Sequence, residues 1–530
     1  MPNNKSVETL IIGGGASGAA VAWSLANVGI EVLCLEQGSW MDPKSYPSAK
    51  PDWELHRDTD FHPDPNVRNL KSDYPVNDTE SPIAPLMYNA VGGSTIHWSA
   101  HFPRFHPSDF RVKSLDGVAD DWPITYKQLE PYFDINDHMM GVAGLVGDPA
   151  YPMKSARQTP PIPLGKTGQV MASGFDKLGW HWWPSDAAIN TTQYDGRPAC
   201  NNCGPCNSGC YTKAKSSTDV TYWPKAIKLG ARIITNARVR ELLVDKNGSV
   251  TGALYYDENG HLQEQKAQVV ILACNGIGTP RLMLNSKSSI FPNGLANRSG
   301  LVGKNLMFHP YAGVTGRFDQ RINAYMGPEG ANIMSQEFYE TDETRGFLRG
   351  YSMQCVRGPG PRRAANPISW GMDHNDIFDS RFGKTMTIMV IGEDLPEEIN
   401  AVTLDPHMTD SDGIPAPKTT YRMSENSLNL MAHGVSKATE VLKAAGAVET
   451  WSNPLLRNAG WHLMGTARMG RDQTRSVVNH MGQTHDVKNL FIVDGSVFTT
   501  SGGVNPTSTI QAVALYIADC IKREARFLVK

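Results

Sequence analysis

Residues 7–36 read VETLIIGGGASGAAVAWSLANVGIEVLCLE, and this stretch constrains the fold more than any other. Residues 7–12 form a short apolar run of strand type. Gly13, Gly15 and Gly18 follow in G-x-G-x-x-G spacing. Residues 16–27 have a helical composition, and 31–35 read as a second strand that ends on Glu36. Glycines so placed permit a tight turn, close approach of the backbone to a pyrophosphate, and close packing of helix on strand. The unpaired N–H groups and dipole at the helix start favour phosphate. Glu36 stands about 20 residues beyond the glycines, where an acid can hold ribose hydroxyls. The pattern predicts a Rossmann-type unit that holds a dinucleotide on Gly13, Gly15, Ala16, Ser17, Gly18 and Glu36. A glycine-rich turn between packed elements is the plainer alternative. The motif alone does not separate FAD from NAD.

A chain of 530 residues exceeds one simple core, so two domains are expected. The net charge of −3 implies no polyanion-binding surface, which argues against a nucleic-acid partner. No apolar run reaches the roughly 18 residues needed to span a bilayer. The start, MPNNKSVETL, lacks both a basic patch followed by an apolar stretch and a twin arginine. A cytoplasmic location is therefore expected, with export to the periplasm bound to a signal-bearing partner as the alternative. Abundant Gly and Pro (49 and 35) favour a loop-rich enzyme over a helical bundle.

Along the chain, 41–85 and 145–170 read as irregular, Pro-rich excursions. Helices are expected after Pro123, at 217–228 with a kink at Pro224, near 275–285, at 424–445 and at 507–522. Strands are expected at 231–244, 250–256, 268–273, 385–391 and 489–494. The nucleotide-binding domain is assembled from 1–48, 80–110, 211–310 and 470–530. Residues 49–79, 111–210 and 311–469 form the substrate side, including a cysteine-rich loop at 200–210. Trp180, Trp182 and Trp183 either line an aromatic pocket or form core, and core is the better reading.

Two constellations carry chemistry. Trp461-His462 precedes GTARMG, and Gly502-Gly503-Val504-Asn505-Pro506-Thr507 leads into the final helix. Pro506 suits a first helical turn and Asn505 the cap before it. The dipole of that helix would favour the negative charge of a reduced flavin. His462 can act as a base near neutral pH. From spacing alone, a satisfied core or surface histidine and a simple cap are the better reading of the two residues. The second constellation is Cys200, Cys203, Cys206 and Cys210, spaced C-x2-C-x2-C-x3-C. Thiolates so close make a soft-metal ligand set like the bacterial ferredoxin run, without its final Pro. Structural zinc, which favours two separated pairs, and plain thiols or disulfides are the alternatives. Cys34, Cys274, Cys355 and Cys520 stand alone and read as buried thiols.

Over nearly its whole length the chain resembles the glucose–methanol–choline oxidoreductases, FAD enzymes that oxidise alcohols and sugars. The resemblance rests on GGGASG with Glu36, VGGSTIHW at 91–98, CNGIGTPRLMLNS at 274–286 and LVGKNLMFHP at 301–310. It rests also on GTARMG at 465–470 and on NLFIVDGSV through GGVNPTSTIQA at 489–512. It implies a Rossmann-type α/β FAD domain with an α+β substrate domain built on an antiparallel sheet. The implied cofactor contacts add Gly92, Gly93, Ser94, His97, Trp98, Val239, Asp494, Gly495, Asn505, Pro506 and Thr507. In the implied mechanism His462 takes the hydroxyl proton, the carbinol hydrogen leaves as hydride to flavin N5, and Asn505 holds the developing alkoxide.

The motifs are most similar to pyranose oxidase and to the catalytic subunits of bacterial glucose, gluconate and fructose dehydrogenases. That similarity implies a covalent bond from His97 to the flavin 8α-methyl. It also implies an iron–sulfur cluster on the four cysteines, and a small-subunit, cytochrome or quinone acceptor. The cysteines depart from that pattern, because Tyr211 stands where Pro would follow the last Cys. GCYTKAKSST also resembles oxidases of the family in which no cluster is assumed. The expected substrate is a sugar, sugar acid or other alcohol. The alternatives are a soluble oxidase of aromatic or aliphatic alcohols that makes hydrogen peroxide, and a non-catalytic flavin electron-transfer subunit. The presence of both His462 and Asn505 argues against the last, since such a subunit needs no base.

Overall fold

The computed structural model describes residues 5–328 and 332–528. Its organising sheet has Val7–Ile12 at the centre. Val32–Leu35 lies parallel on one side, with Leu10 opposite Leu33, and Arg232–Ile234 lies beyond it. On the other side runs Leu262–Leu272, with Leu10 opposite Val270, and then Leu490–Ile492. Leu10, Ile11, Val32, Val270, Ile271 and Phe491 are fully buried. Strands covered on both faces are apolar throughout, which explains why the sequence shows unbroken apolar runs there. Helix Ala16–Ala26 connects the first two strands and packs against the final helix, Thr507–Leu528. Ala19, Ala20 and Ala22 on the first helix are small enough to let the two backbones approach.

Several elements differ from expectation for local reasons. Residues 231–244 form two strands, Arg232–Ile234 and Arg238–Val244, because Asn236 turns left-handed at φ 53° and Ala237 donates to the Glu36 carbonyl. The strand expected at 268–273 begins earlier. The first half of Leu262–Leu272 pairs antiparallel with Val250–Tyr256, so one strand joins a meander to the parallel core. The helix expected at 217–228 is only Tyr222–Lys228, with Pro224 in the first turn, where no N–H is required and no kink results. A helix, Gly165–Leu178, starts inside the expected loop at 145–170.

The second sheet is antiparallel. Its order is Glu449–Asn453, Tyr311–Arg317, Thr385–Gly392, Tyr351–Val356, Ile333–Ser335 and Trp183–Pro184. Successive side chains point to opposite faces. Val314, Met353, Ile388 and Val390 face a core shared with helices Gly165–Leu178 and Glu425–Ala444. Their neighbours Thr315, Gln354, Thr387 and Met389 face a cavity between the two sheets. Trp180 and Trp182 pack against that core, and the Trp183 indole donates to the Leu145 carbonyl, so none of the three lines the cavity. Among the described residues no helix is long and apolar enough to cross a membrane.

Candidate active site

One cavity of about 1010 Å³ runs from the glycine turn to the antiparallel sheet. That is at the upper end of the range for small-molecule sites. At its nucleotide end the three glycines have separate tasks. A Cβ on Gly13 would stand 2.5 Å from the Ala273 carbonyl oxygen, and one on Gly18 would strike the Gly13 carbonyl. A Cβ on Gly15 would meet only the Gly93 Cα, at 3.9 Å, and Gly15 opens onto the cavity. Gly13 and Gly18 thus pack turn, helix and strand together, while Gly15 leaves room for a ligand's phosphates. Glu36 accepts from the N–H groups of Gly14 (2.6 Å) and Gly38 (2.8 Å) at the cavity edge. Burial pushes its carboxyl up to about 6 against those hydrogen bonds.

Ala16, Ser17, Gly93, Ser94, Trp98, Val239, Asp494, Gly495, Pro506 and Thr507 also line the cavity. Gly18 and Gly92 do not. Gly92 instead donates to the Gly14 carbonyl at 3.0 Å and so holds the 92–98 segment against the first turn. Asp494 accepts from Asn275 N–H, Thr279 Oγ1 and Ser496 N–H. It thereby anchors the start of helix Asn275–Asn285 beside the site.

His97 is fully buried between the rings of Phe61 and Tyr88, each 4.3 Å away between centroids. Neither of its ring nitrogens has a hydrogen-bond partner, and the residue lines the cavity. Burial, with Arg57, Arg68 and Lys215 nearby, holds it well below the ordinary imidazole range. A buried ring left unsatisfied on both nitrogens is costly unless a ligand engages it. The cradle and the orphaned imidazole together fit a flavin dinucleotide.

The sheet end of the cavity carries His462 and Asn505. Residues 461–464 form no helix or strand. His462 is fixed by its neighbours, with Nδ1 2.6 Å from Nδ1 of His309. Burial, with His309 and His101 close by, holds His462 well below the usual imidazole range. Asn505 does not use its side chain as the expected cap. Its Oδ1 accepts from Gln354 Nε2, and its Nδ2 faces the Tyr311 hydroxyl at 3.4 Å. The helix begins at Thr507 after Pro506, whose carbonyl accepts from Ile510 N–H. Tyr311 touches both residues, its ring lying 5.8 Å from that of His462. Sequence reasoning assigned no role to His309, Tyr311 or Gln354. His309 lay in the LVGKNLMFHP block and Tyr311 two positions on, whereas nothing local distinguished Gln354.

The cysteine loop corrects an expectation. Among the described residues no group of three or more His, Cys, Asp or Glu side chains is gathered to hold a metal ion. Cys200, Cys203, Cys206 and Cys210 lie outside the cavity lining. Left-handed turns at Asn202 (φ 58°), Gly204 (φ 107°) and Gly209 (φ 80°) interrupt the loop. The Cys200 sulfur accepts from Asn202 N–H, the Cys210 sulfur accepts from Lys215 N–H, and Cys203 is exposed. Neither an iron–sulfur cluster nor zinc fits this arrangement. The loop is instead tied to the cavity wall through Lys215. Its buried ammonium donates to the carbonyls of Ile96 (2.7 Å), Trp98 (2.8 Å) and Cys206 (2.6 Å).

A dinucleotide cradle that ends on a low-basicity imidazole and a carboxamide defines an oxidoreductase site. The chain belongs to the GMC oxidoreductase family of FAD-binding enzymes, matching its N-terminal model over residues 7–311 and its C-terminal model over 396–514. It is 44% identical to a 2-methyl-1,2-propanediol dehydrogenase of Mycolicibacterium austroafricanum, over 97% of this chain and 95% of that one. It is 30% identical to the fructose dehydrogenase large subunit of Gluconobacter japonicus, over 98% of each chain. The crystal structure of pyridoxine 4-oxidase from Mesorbium loti shares the fold, with a TM-score of 0.66 at 16% identity, over 98% of this chain and 99% of that chain.

Proposed function

We propose that this chain oxidises the hydroxyl of a small polyol, sugar or related alcohol to a carbonyl, with His462 as base and Asn505 as the group that holds the alkoxide. The observation that carries the reading is that His462 and Asn505, 43 positions apart, flank Tyr311 at the end of the cavity opposite the nucleotide cradle. FAD, when bound, supplies the hydride acceptor. His462 starts neutral, because burial disfavours its charged form, and so can accept the hydroxyl proton. Gln354 occupies the Asn505 oxygen and Tyr311 takes one amide hydrogen, which leaves the second N–H for the substrate oxygen as it becomes negative. Thr315, Thr387 and Met389 offer a mixed polar and apolar wall suited to a short, branched, hydroxylated substrate. The names of the diol and fructose dehydrogenase relatives support that class.

His97, with both nitrogens unpartnered, is the residue we assign to a covalent flavin bond. The acceptor in this reading is a protein or quinone, supported by the fructose dehydrogenase relative being a large subunit by name. In this reading 1–48, 80–110, 211–310 and 470–530 serve the nucleotide, and 49–79, 111–210 and 311–469 serve the substrate, with the antiparallel sheet on the substrate side. The test is anaerobic mixing of purified holoprotein with short diols, polyols and sugars while the flavin absorbance is followed. Bleaching by one of these classes supports the reading, and its absence with all of them sinks it. Rapid recolouring in air would assign an oxidase. Yellow colour that leaves the acid pellet would refute the covalent bond to His97.

A further inference from the structure

We propose that His309 is a positioning residue that sets the tautomer of His462 and holds the abstracted proton jointly with it. This rests on the reading of His462 as the base. His309 is fully buried, with Nε2 2.6 Å from the Gly502 carbonyl oxygen and 3.1 Å from that of Ser501. A carbonyl oxygen can only accept, so Nε2 carries a hydrogen. Burial pushes His309 down to about 4, so its ring is neutral at neutral pH and Nδ1 is a bare lone pair. The His462 Nδ1 that faces it at 2.6 Å must therefore be the donor. The reverse order would place a lone pair of His309 against the Gly502 oxygen. His462 is left with its lone pair on Nε2, the nitrogen not engaged by His309. The rings stand nearly perpendicular, at 86°, so one nitrogen meets another while the remaining edge of His462 stays free.

Once Nε2 takes a proton, the Nδ1–H bond to His309 becomes charge-assisted and strengthens. Beyond His309 the chain of donors ends on backbone carbonyls, which pass no proton onward, so the charge stays on the two imidazoles. The carbonyls are themselves well placed. Gly503 N–H donates to the Tyr339 hydroxyl at 3.0 Å, and Ser501 Oγ donates to the Asp394 carbonyl at 2.9 Å. The same loop continues to Asn505, so His309 fastens the base to the backbone that carries the alkoxide holder. The other titratable groups near the pair are His101, Tyr311 and the Asp394 carboxyl, which accepts from Phe308 N–H at 3.3 Å.

The test compares His309→Leu and His309→Asn with the wild-type holoprotein. Anaerobic flavin reduction is followed against pH and substrate concentration, and histidine nitrogens are observed by NMR in 15N-histidine-labelled protein with His462→Ala as the assignment control. The leucine variant should lose roughly 10²-fold in limiting rate, with the substrate dependence little changed and a displaced pH midpoint. Asparagine, whose Oδ1 can still accept from His462, should recover most of the rate but not the wild-type pH midpoint. His462 should show the Nδ1–H tautomer in wild type and the asparagine variant, and lose it in the leucine variant. An unchanged rate in the leucine variant, or an Nε2–H tautomer in wild type, would overturn the proposal. If the leucine variant does not fold, the wild-type tautomer and the asparagine pH profile decide alone. Full activity in His462→Ala would instead refute the base itself, a separate result from the tautomer measurement.

Discussion

His309 and His462 are 153 residues apart in the chain and 2.6 Å apart in space. Cys200, Cys203, Cys206 and Cys210 fall within eleven residues and gather into no metal site among the described residues. The histidines meet because the backbone segments that carry them pair with each other. Met307 and Met464 exchange backbone hydrogen bonds, and His309 closes onto the Gly502 carbonyl. In the cysteine loop left-handed residues redirect the chain, and the sulfurs of Cys200 and Cys210 accept from nearby N–H groups. Proximity in sequence supplies ligands for a metal only when the loop curls around one centre. Tertiary clamping can build a site from residues that share no local pattern.

The largest expected effect lies on the histidine side. His462→Ala should slow anaerobic flavin reduction by roughly 10²- to 10⁴-fold while FAD content is retained. A wild-type rate would remove the basis of the contrast. Gln354→Ala releases the Asn505 carboxamide and should cost up to about tenfold, the worth of one hydrogen bond, in kcat more than KM. An effect on KM alone would mean that Gln354 only binds substrate.

On the cysteine side the structural weight falls on Lys215. Lys215→Met strips a buried donor from three carbonyls and should lower unfolding stability by about 3 kcal/mol in denaturant titration. Unchanged stability would show that the loop is not tied down there.

Asp394 offers a pH test of the clamp. Burial raises its carboxyl to about 7 from 3.8, so the folded state binds the proton more tightly than the unfolded chain. Its contribution is fully present below the unfolded value and is lost as pH rises toward the folded one. Melting temperature should therefore fall between those two pH values and fall less in Asp394→Asn. Parallel curves for the two proteins would contradict the assignment. The smallest effect belongs to the quadruple Cys→Ser variant at 200, 203, 206 and 210, which should keep its flavin reduction rate. Stoichiometric iron with labile sulfide in the parent protein, lost in that variant, would reverse the comparison.

Much of this was legible in the chain before folding. The strand, glycine turn and helix of residues 7–26 follow from apolar runs and from glycines at 13 and 18, positions that tolerate no Cβ. Buried parallel strands announce themselves because both faces are apolar. His462, Asn505 and His97 were visible as candidates, but not what engages them. Gln354 sits in an ordinary alternating strand, and only the register that sets it beside Met389 turns it toward Asn505. The failed ligand set at 200–210 has the same origin, since spacing counts residues and says nothing of the turns between them.

By itself the sequence determined the local periodicities, the glycine-dependent turn and the inventory of reactive groups, because these depend on side-chain shape and on neighbours a few residues away. Only the tertiary structure decided which imidazole meets which, which face of each strand sees the cavity, and that the four cysteines gather into no metal site among the described residues. Those outcomes depend on long-range pairing, where a one-residue change of register would send Gln354 into the core and leave Asn505 unheld.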